Sequence, residues 1–161
     1  MINPRIEKLE QKKLVGMKMT MSLTENLTPQ LWRSFMVRRK EVTNRMSSDL
    51  ISMQLYSEDI NFTNFNMETQ FEKWACAEVS DFNHIPDGMH AFDLTSGLYA
   101  VFLHKGSAAA GADTFKYIFA EWLPSSDFTI DSRPHFEVLG GKYMNNDPNS
   151  EEDIWIPIKP R

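Results

Sequence analysis

One glutamate near the end of the chain stands out because it interrupts an otherwise apolar strand pattern. In the segment 134–139, side chains alternate between two faces, and Glu137 shares its face with His135 and Leu139. A buried carboxylate without a fixed basic partner is costly, because desolvation disfavours the charged form and raises its pKa. A bound lipophilic cation would offset that cost. Glu137 is therefore predicted to be the acidic centre of a binding pocket.

The final strand carries a second carboxylate. Three isoleucines alternate along it and predict a core face: Ile154, Ile156 and Ile158. Asp153 and Trp155 must then point to the other side of this strand. We expect both to line the same pocket as Glu137.

Other aromatic and sulfur-containing side chains complete the predicted pocket. Ring faces attract cations with about 0.5–2 kcal/mol each, and the candidates are Tyr99, Tyr117, Trp74, Met53 and Phe71. Tyr117 falls off the apolar stripe of its own helix, which leaves its ring free for a ligand. Methionine suits a pocket that accepts several ligand shapes. For each ring, the competing interpretation is an ordinary core position.

Composition bounds the class of protein. The 161 residues fit one domain, 1–161, and 42% of them are hydrophobic. A net charge of −5 argues against a nucleic-acid surface, which needs a basic stripe. Cys76 is the one cysteine, so no internal disulfide can form, and neither a signal core nor a membrane-spanning stretch is visible. We expect a soluble cytoplasmic protein.

The sequence shows no motif for a metal, a cofactor or a catalytic nucleophile. The four histidines lack the paired spacing of a zinc site, and the lone cysteine cannot complete one. The glycine-rich segment 106–111 lacks the lysine and hydroxyl residue of a phosphate loop. We therefore expect no cofactor and no catalytic residue.

A weak internal repeat divides the chain into residues 1–80 and 81–161. An offset of 84 residues lays Leu14 on Leu98 and Met53 on Glu137. Each half then contains two strands, a helix and two strands, with helices at 29–40 and 113–123. Thr28 is expected to cap the first helix, and Pro124 to end the second.

The repeat predicts a hairpin before each helix and a second strand pair after it. The hairpins are 5–9 with 14–21 and 89–94 with 97–104. The pairs after the helices are 51–56 with 70–79 and 134–139 with 153–159. The predicted fold is α+β, with two antiparallel sheet units related by a pseudo-twofold axis, each covered by one helix. The ligand pocket is expected between the halves, with Met53 opposite Glu137.

Several segments of the second half resemble a known family. They are GLYAVF at 97–102, EWLPSS at 121–126, RPHFE at 133–137 and EEDIWIPI at 151–158. They resemble the effector-binding domain of multidrug-sensing transcription regulators of the AraC and MerR types, which also occurs alone as GyrI-like small-molecule-binding proteins. The resemblance implies a pocket between two half-domains, with a central glutamate and aromatic walls for lipophilic cations. By position, that glutamate is Glu137, with Asp153 and Trp155 at the second acidic and aromatic wall positions.

The resulting hypothesis is a stand-alone domain that binds or sequesters small amphipathic cations. The two halves take up nearly the whole chain, so no DNA-binding segment, and no membrane contact, is expected within it. Two alternatives stay open: a hydrolase of small electrophilic compounds on the same fold, and a gyrase-inhibitor-like interaction module. The partner could accordingly also be a second copy of the chain or a protein such as DNA gyrase.

Overall fold

The computed structural model describes residues 3–57, 65–107, 110–144 and 147–161. These residues form an α+β fold with one large antiparallel sheet, which confirms the predicted fold class. The strands are β1 Arg5–Leu9, β2 Lys12–Met21, β3 Leu50–Leu55, β4 Phe71–Val79, β5 His90–Leu94, β6 Gly97–Lys105, β7 Phe128–Ile130, β8 His135–Leu139 and β9 Glu151–Pro160. The helices are α1 Thr28–Arg38, extended by a 3-10 turn Arg39–Glu41, and α2 Gly111–Tyr117, which continues through a π-helical turn Ile118–Trp122 into α3 Leu123–Ser125.

The strand order confirms half of the predicted pairs and overturns the other half. It runs β1-β6-β9-β8-β3-β4-β2-β5, with β7 paired to β9 beside this path. The pairs after each helix are confirmed, since β3 pairs with β4 and β8 with β9. The two predicted hairpins are wrong: β1 pairs with β6, and β5 pairs with β2. Each half therefore contributes its first strand to the other half, and the β3–β8 pair joins the two halves into one sheet.

Two short connections require the sheet to curl. Only residues 10 and 11 join β1 to β2, so the chain there can span roughly 11 Å. In a flat sheet, β1 and β2 would be six strand spacings apart, or about 29 Å. Residues 95 and 96 impose the same restriction on β5 and β6. The sheet must therefore bend until its two edges approach each other.

The curl gives the sheet an inner and an outer face. The inner face is filled by residues from strands along the whole sheet: Leu9, Leu14, Ile51, Met53, Trp74, Cys76, Leu94, Tyr99, Val101 and Phe136. On the outer face, α1 buries Leu31 and Phe35 against β2 and β4. Ile118, in the helical segment that follows α2, packs on Phe102 of β6 and Ile156 of β9. Each helix thus covers one flanking pair of strands, and the central β3–β8 pair lies between them.

The helix ends differ from the prediction at two positions. Thr28 is the first residue of α1 rather than its N-cap, and its backbone N–H donates to the Asn26 side chain at 3.0 Å. Pro124 lies within the last helical turn instead of ending the helix before it. The helix ends directly after it, at Ser125, and the Ser126 N–H donates to the Leu123 carbonyl.

The predicted repeat has a counterpart in the strand order. If β1, β2, β3 and β4 correspond to β5, β6, β8 and β9, the order reads the same from both edges. The strands β1 and β5 also show the same sequence of exposed and buried positions. The offset between these strands is 85 (Arg5 to His90) rather than 84, and a shift of one residue exchanges the faces of a strand. The superposition of the two halves stays a prediction.

Candidate functional site

The central strip of the outer face is polar, unlike the apolar strips beneath the helices. It consists of Ser52 and Gln54 on β3 and of His135 and Glu137 on β8, which pair directly across the two strands. Ser52, Gln54 and His135 are buried, and Glu137 is partly buried. Buried polar side chains are uncommon in a sheet and need partners. We refer to this strip, with α1 and α2 on either side, as the central cleft.

A carboxyl pair lies at the centre of this cleft. Glu137 pairs with Ile154 of β9, so alternation places Glu152 on the same face, and the two glutamate side chains are hydrogen-bonded to each other. Two carboxyl groups can form such a bond only when one of them holds a proton, because an ionised carboxylate has no donor. Burial and the neighbouring Glu137 raise the pKa of Glu152 to about 8. At pH 7 the Glu152 carboxyl group is therefore mostly protonated and can donate to Glu137.

A lysine lies on the same face. Lys73 of β4 is partly buried and donates a hydrogen bond to the Gln54 side-chain oxygen, with the amide oriented so that its nitrogen donates to the His135 carbonyl at 3.0 Å. Burial lowers the pKa of Lys73, while Glu137 and Glu152 act in the opposite direction. Lys73 forms no direct ion pair with either carboxyl group. The cleft thus contains separated positive and negative groups.

Aromatic rings border the carboxyl pair. The Tyr56 ring lies 5.0 Å from the His135 ring and 5.6 Å from the Phe71 ring, measured between centroids. Burial and the Glu137 carboxylate raise the pKa of the Tyr56 hydroxyl, so it stays neutral. Burial lowers the pKa of His135 to about 3, so its ring is also neutral at pH 7. Tyr143 is affected in the same way as Tyr56, by burial and by both glutamates.

A groove of about 1100 Å³ adjoins the cleft at Tyr56 and His135. Its apolar lining includes Phe119 and Leu123 from the helical segment that follows α2. Four charged side chains also border the groove: Lys116, Asp131, Arg133 and Lys159. The groove itself is large enough for a drug-sized molecule and meets the cleft at Tyr56 and His135.

Asp153 and Trp155 lie on the opposite side of the sheet from Glu137. Trp155 pairs with Phe136 and stacks on its ring at 5.2 Å, within the inner face. Asp153 forms an ion pair with Arg5, whose guanidinium donates a hydrogen bond to the carboxylate at 3.3 Å. The prediction that these two residues share a pocket with Glu137 is therefore wrong. Because Glu137 pairs with Ile154, it lies on the same face of the sheet as the isoleucines of β9, whereas Asp153 and Trp155 point to the other face.

Three further predicted wall residues fill the interior of the curl. Tyr99 is fully buried, and its hydroxyl donates to the Pro134 carbonyl at 2.8 Å, while the Arg133 guanidinium lies 4.7 Å from its ring centre. Trp74 is 2% exposed, and its indole N–H donates to Glu72 at 2.7 Å. Met53 is fully buried and pairs with Phe136, so it does not lie opposite Glu137. These residues hold the inner face together.

The remaining two predicted residues lie on the outer face. Phe71 is partly buried against the cluster under α1 and contacts Tyr56, at the border of the cleft. Tyr117 is partly buried against the cluster that includes Ile118 and Ile156. Of the eight residues predicted from sequence, the structure brings Glu137 and Phe71 to the same region.

Three important residues of the cleft were not predicted: Glu152, Lys73 and Tyr56. Glu152 could have been found, because it alternates with Ile154 and so belongs to the same face as the isoleucines. Lys73 and Tyr56 carry no such local signal. Their place depends on the pairing of β3 with β4 and β8, which only the tertiary fold determines.

Two general features complete the description of the site. Among the described residues, no three His, Cys, Asp or Glu side chains gather into a group that could hold a metal ion. None of the helices in the described part of the chain has the length and apolar character needed to cross a membrane. A second copy of the chain and a protein such as DNA gyrase stay untested as partners.

Known proteins are similar to this chain in sequence or in fold. The chain is 29% identical over 146 residues to the transcriptional regulator BrlR of Pseudomonas aeruginosa, covering 90% of this chain and 51% of BrlR. It thus spans about half the length of that relative. A structure of SAV2435 bound to tetraphenylphosphonium matches 98% of this chain and 94% of its own, with a TM-score of 0.74 and 17% identity.

A hydrolase encoded by lin2189 from Listeria innocua has the same fold. It matches 98% of this chain and 92% of its own, with a TM-score of 0.63 and 8% identity. At these identities, both solved structures establish the fold alone. The sequence itself matches the GyrI-like small molecule binding domain over residues 2–159. The chain therefore belongs to the family of GyrI-like small-molecule-binding domains.

Proposed function

We propose that the central cleft binds lipophilic cations, with Glu137 as the counter-ion. The observation that carries this proposal is the carboxyl pair of Glu137 and Glu152 on a polar strip between two apolar helix clusters. Ionised carboxylates are rarely buried without a cation. Once the carboxyl pair releases its proton, a ligand cation would balance the negative charge that remains.

The aromatic border supports the same ligand class. Tyr56 and Phe71 offer neutral ring surfaces near Glu137, and a ring face attracts a cation by about 0.5–2 kcal/mol when water is excluded. Such rings select charge and apolar bulk without requiring one molecular shape. The tetraphenylphosphonium bound to SAV2435, a lipophilic cation, is consistent with this choice.

Titration with a pair of ions of matched shape tests the proposal. Tetraphenylphosphonium should bind and tetraphenylborate, which has the same shape and the opposite charge, should not. Glu137→Gln should weaken the cation by about 1.5–3 kcal/mol, as expected for a contact with a charged group. Asp153→Asn is the matched control, because it removes a carboxylate from the other face of the sheet. Equal loss of affinity in both variants would contradict the assignment.

Hydrolysis of small electrophilic compounds is the second candidate function. The observation that favours it is the shared proton, since two carboxyl groups with different proton affinities can serve as general acid and general base. Release of product distinguishes this function from binding. A binder returns every ligand unchanged, whereas a hydrolase loses turnover in both Glu137→Gln and Glu152→Gln.

A further inference from the structure

Lys73 is the one feature of the cleft that binding of a simple cation does not explain. It lies on the outer face of β4 between Phe71 and Ala75, which both belong to the cluster under α1. Hydrophobic residues would fill this position at lower cost, because an ammonium group must be desolvated there. Glu137 and Glu152 act on the ammonium through space and raise its pKa against the effect of burial.

The hydrogen bonds of Lys73 leave room for a further partner. An ammonium group has three N–H donors and no acceptor. Gln54 accepts one of these bonds, and it is fixed by its own bond to the His135 carbonyl. Neither Glu137 nor Glu152 forms a direct ion pair with Lys73, so the ammonium is held apart from the carboxyl pair.

The cleft contains both acidic and basic side chains. Glu137 and Glu152 form its acidic side, and Lys73, whose pKa burial lowers and the two glutamates raise, forms its basic side. A site with groups of both signs holds a simple monocation through its acidic side alone. It is complementary to a molecule that carries both signs. The adjoining groove adds to the positive side, since it is bordered by Lys116, Arg133 and Lys159 but by one carboxylate, Asp131.

We propose that Lys73 determines the ligand class of the cleft, and that its preferred ligands are amphipathic zwitterions. The cationic group of the ligand contacts Glu137 and Glu152, and its carboxylate accepts hydrogen bonds from the Lys73 ammonium. This inference rests on the proposed cation site and specifies which cations occupy it best. Lys73 then discriminates among lipophilic cations by the presence of a second, acidic group.

Two dyes that differ in one group test the inference. Rhodamine B carries a free carboxylate and is a zwitterion, whereas its ethyl ester is a cation of almost the same size. Fluorescence anisotropy should show tighter binding of rhodamine B to the wild type. Lys73→Met should weaken rhodamine B by tenfold or more, as expected for loss of a charge-assisted hydrogen bond. The ester should bind Lys73→Met as well as it binds wild type, or more tightly.

Two further variants make the result interpretable. Lys18→Met removes an ammonium that lies over the Trp74 ring, away from the cleft, and should behave as wild type. Lys73→Arg keeps the positive charge and should keep the preference for rhodamine B. Melting curves establish that each variant is folded.

The outcomes separate the inference from the proposed function. Tighter binding of the ester by wild type, or an equal loss for both dyes in Lys73→Met, overturns the role of Lys73 and leaves the cation site standing. If the ester binds wild type and Glu137→Gln equally well, the cation site itself is refuted. The role of Lys73 and the cation site are both supported if Lys73→Met loses affinity for rhodamine B but not for the ester, and Glu137→Gln loses affinity for the ester.

Discussion

Binding of a permanently charged cation should release a proton from the protein. The Glu137 and Glu152 side chains share a hydrogen bond, which requires a proton between them. Tetraphenylphosphonium cannot accept or donate protons. When it enters the cleft, a second negative charge stabilises it, so the proton of the pair is expelled into the buffer.

The size of the effect follows from the pKa of about 8 at Glu152. At pH 7 the group is protonated in about nine molecules of ten, so binding should release up to about 0.9 proton. Removing that proton costs about 1 kcal/mol at pH 7, after allowing for the solvent that reaches this partly exposed side chain. The affinity should therefore rise as the pH increases from 6 to 8 and level off above that range.

Isothermal titration calorimetry measures this release directly. The apparent enthalpy of binding is recorded at one pH in phosphate and in Tris, whose ionisation enthalpies differ, and its slope gives the number of protons. Glu152→Gln should reduce the number to near zero, because an amide cannot ionise. Lys73→Met should retain the proton release, which excludes the ammonium as the proton source, although loss of the ammonium raises the pKa of Glu152 further. A proton number near zero in wild type, or an equal number in Glu152→Gln, would refute the shared proton.

The remaining predictions concern stability and the inner face. Glu152 has a higher pKa in the folded protein than its ordinary 4.5, so the stability it favours is present below pH 4.5 and is lost as the pH rises towards 8. Glu152→Gln should remove this loss, about 1–2 kcal/mol after allowance for screening, in urea unfolding at pH 5 and pH 8. Met53→Ala should lower the free energy of unfolding by about 2–5 kcal/mol, because the side chain is fully buried, and a denaturant midpoint close to wild type would contradict this. Trp155→Phe should leave the ligand-induced change in tryptophan fluorescence intact, since the indole lies on the inner face, and loss of the signal would place the ligand there instead.

Local patterns predicted eight of the nine strands in the described residues, all except the short β7, but could not predict how the halves exchange them. The alternation of Ile154, Ile156 and Ile158 identified a core face, and the structure places all three under the helical segment that follows α2. Two hairpins were predicted because a short link normally joins neighbouring strands. The curl brings the two edges of the sheet together instead, and this depends on contacts far apart in the sequence.

The site shows the same limit. Glu137 was predicted from its own strand, but its partner was assigned to Asp153 because the register between β8 and β9 was unknown. Pairing of Glu137 with Ile154 selects Glu152, one residue earlier, and moves Trp155 to the inner face. A difference of one residue in the register therefore places Glu152 beside Glu137, where Asp153 and Trp155 were predicted.

A crystal structure of the protein with tetraphenylphosphonium would locate the ligand itself. The phosphonium should lie on the outer face between α1 and α2, with the Glu137 and Glu152 carboxyl groups as its nearest charged neighbours and the Tyr56 ring against one phenyl group. Density for the ligand on the inner face, beside Trp155 and Tyr99, or at a surface without either glutamate, would contradict the assignment of the central cleft.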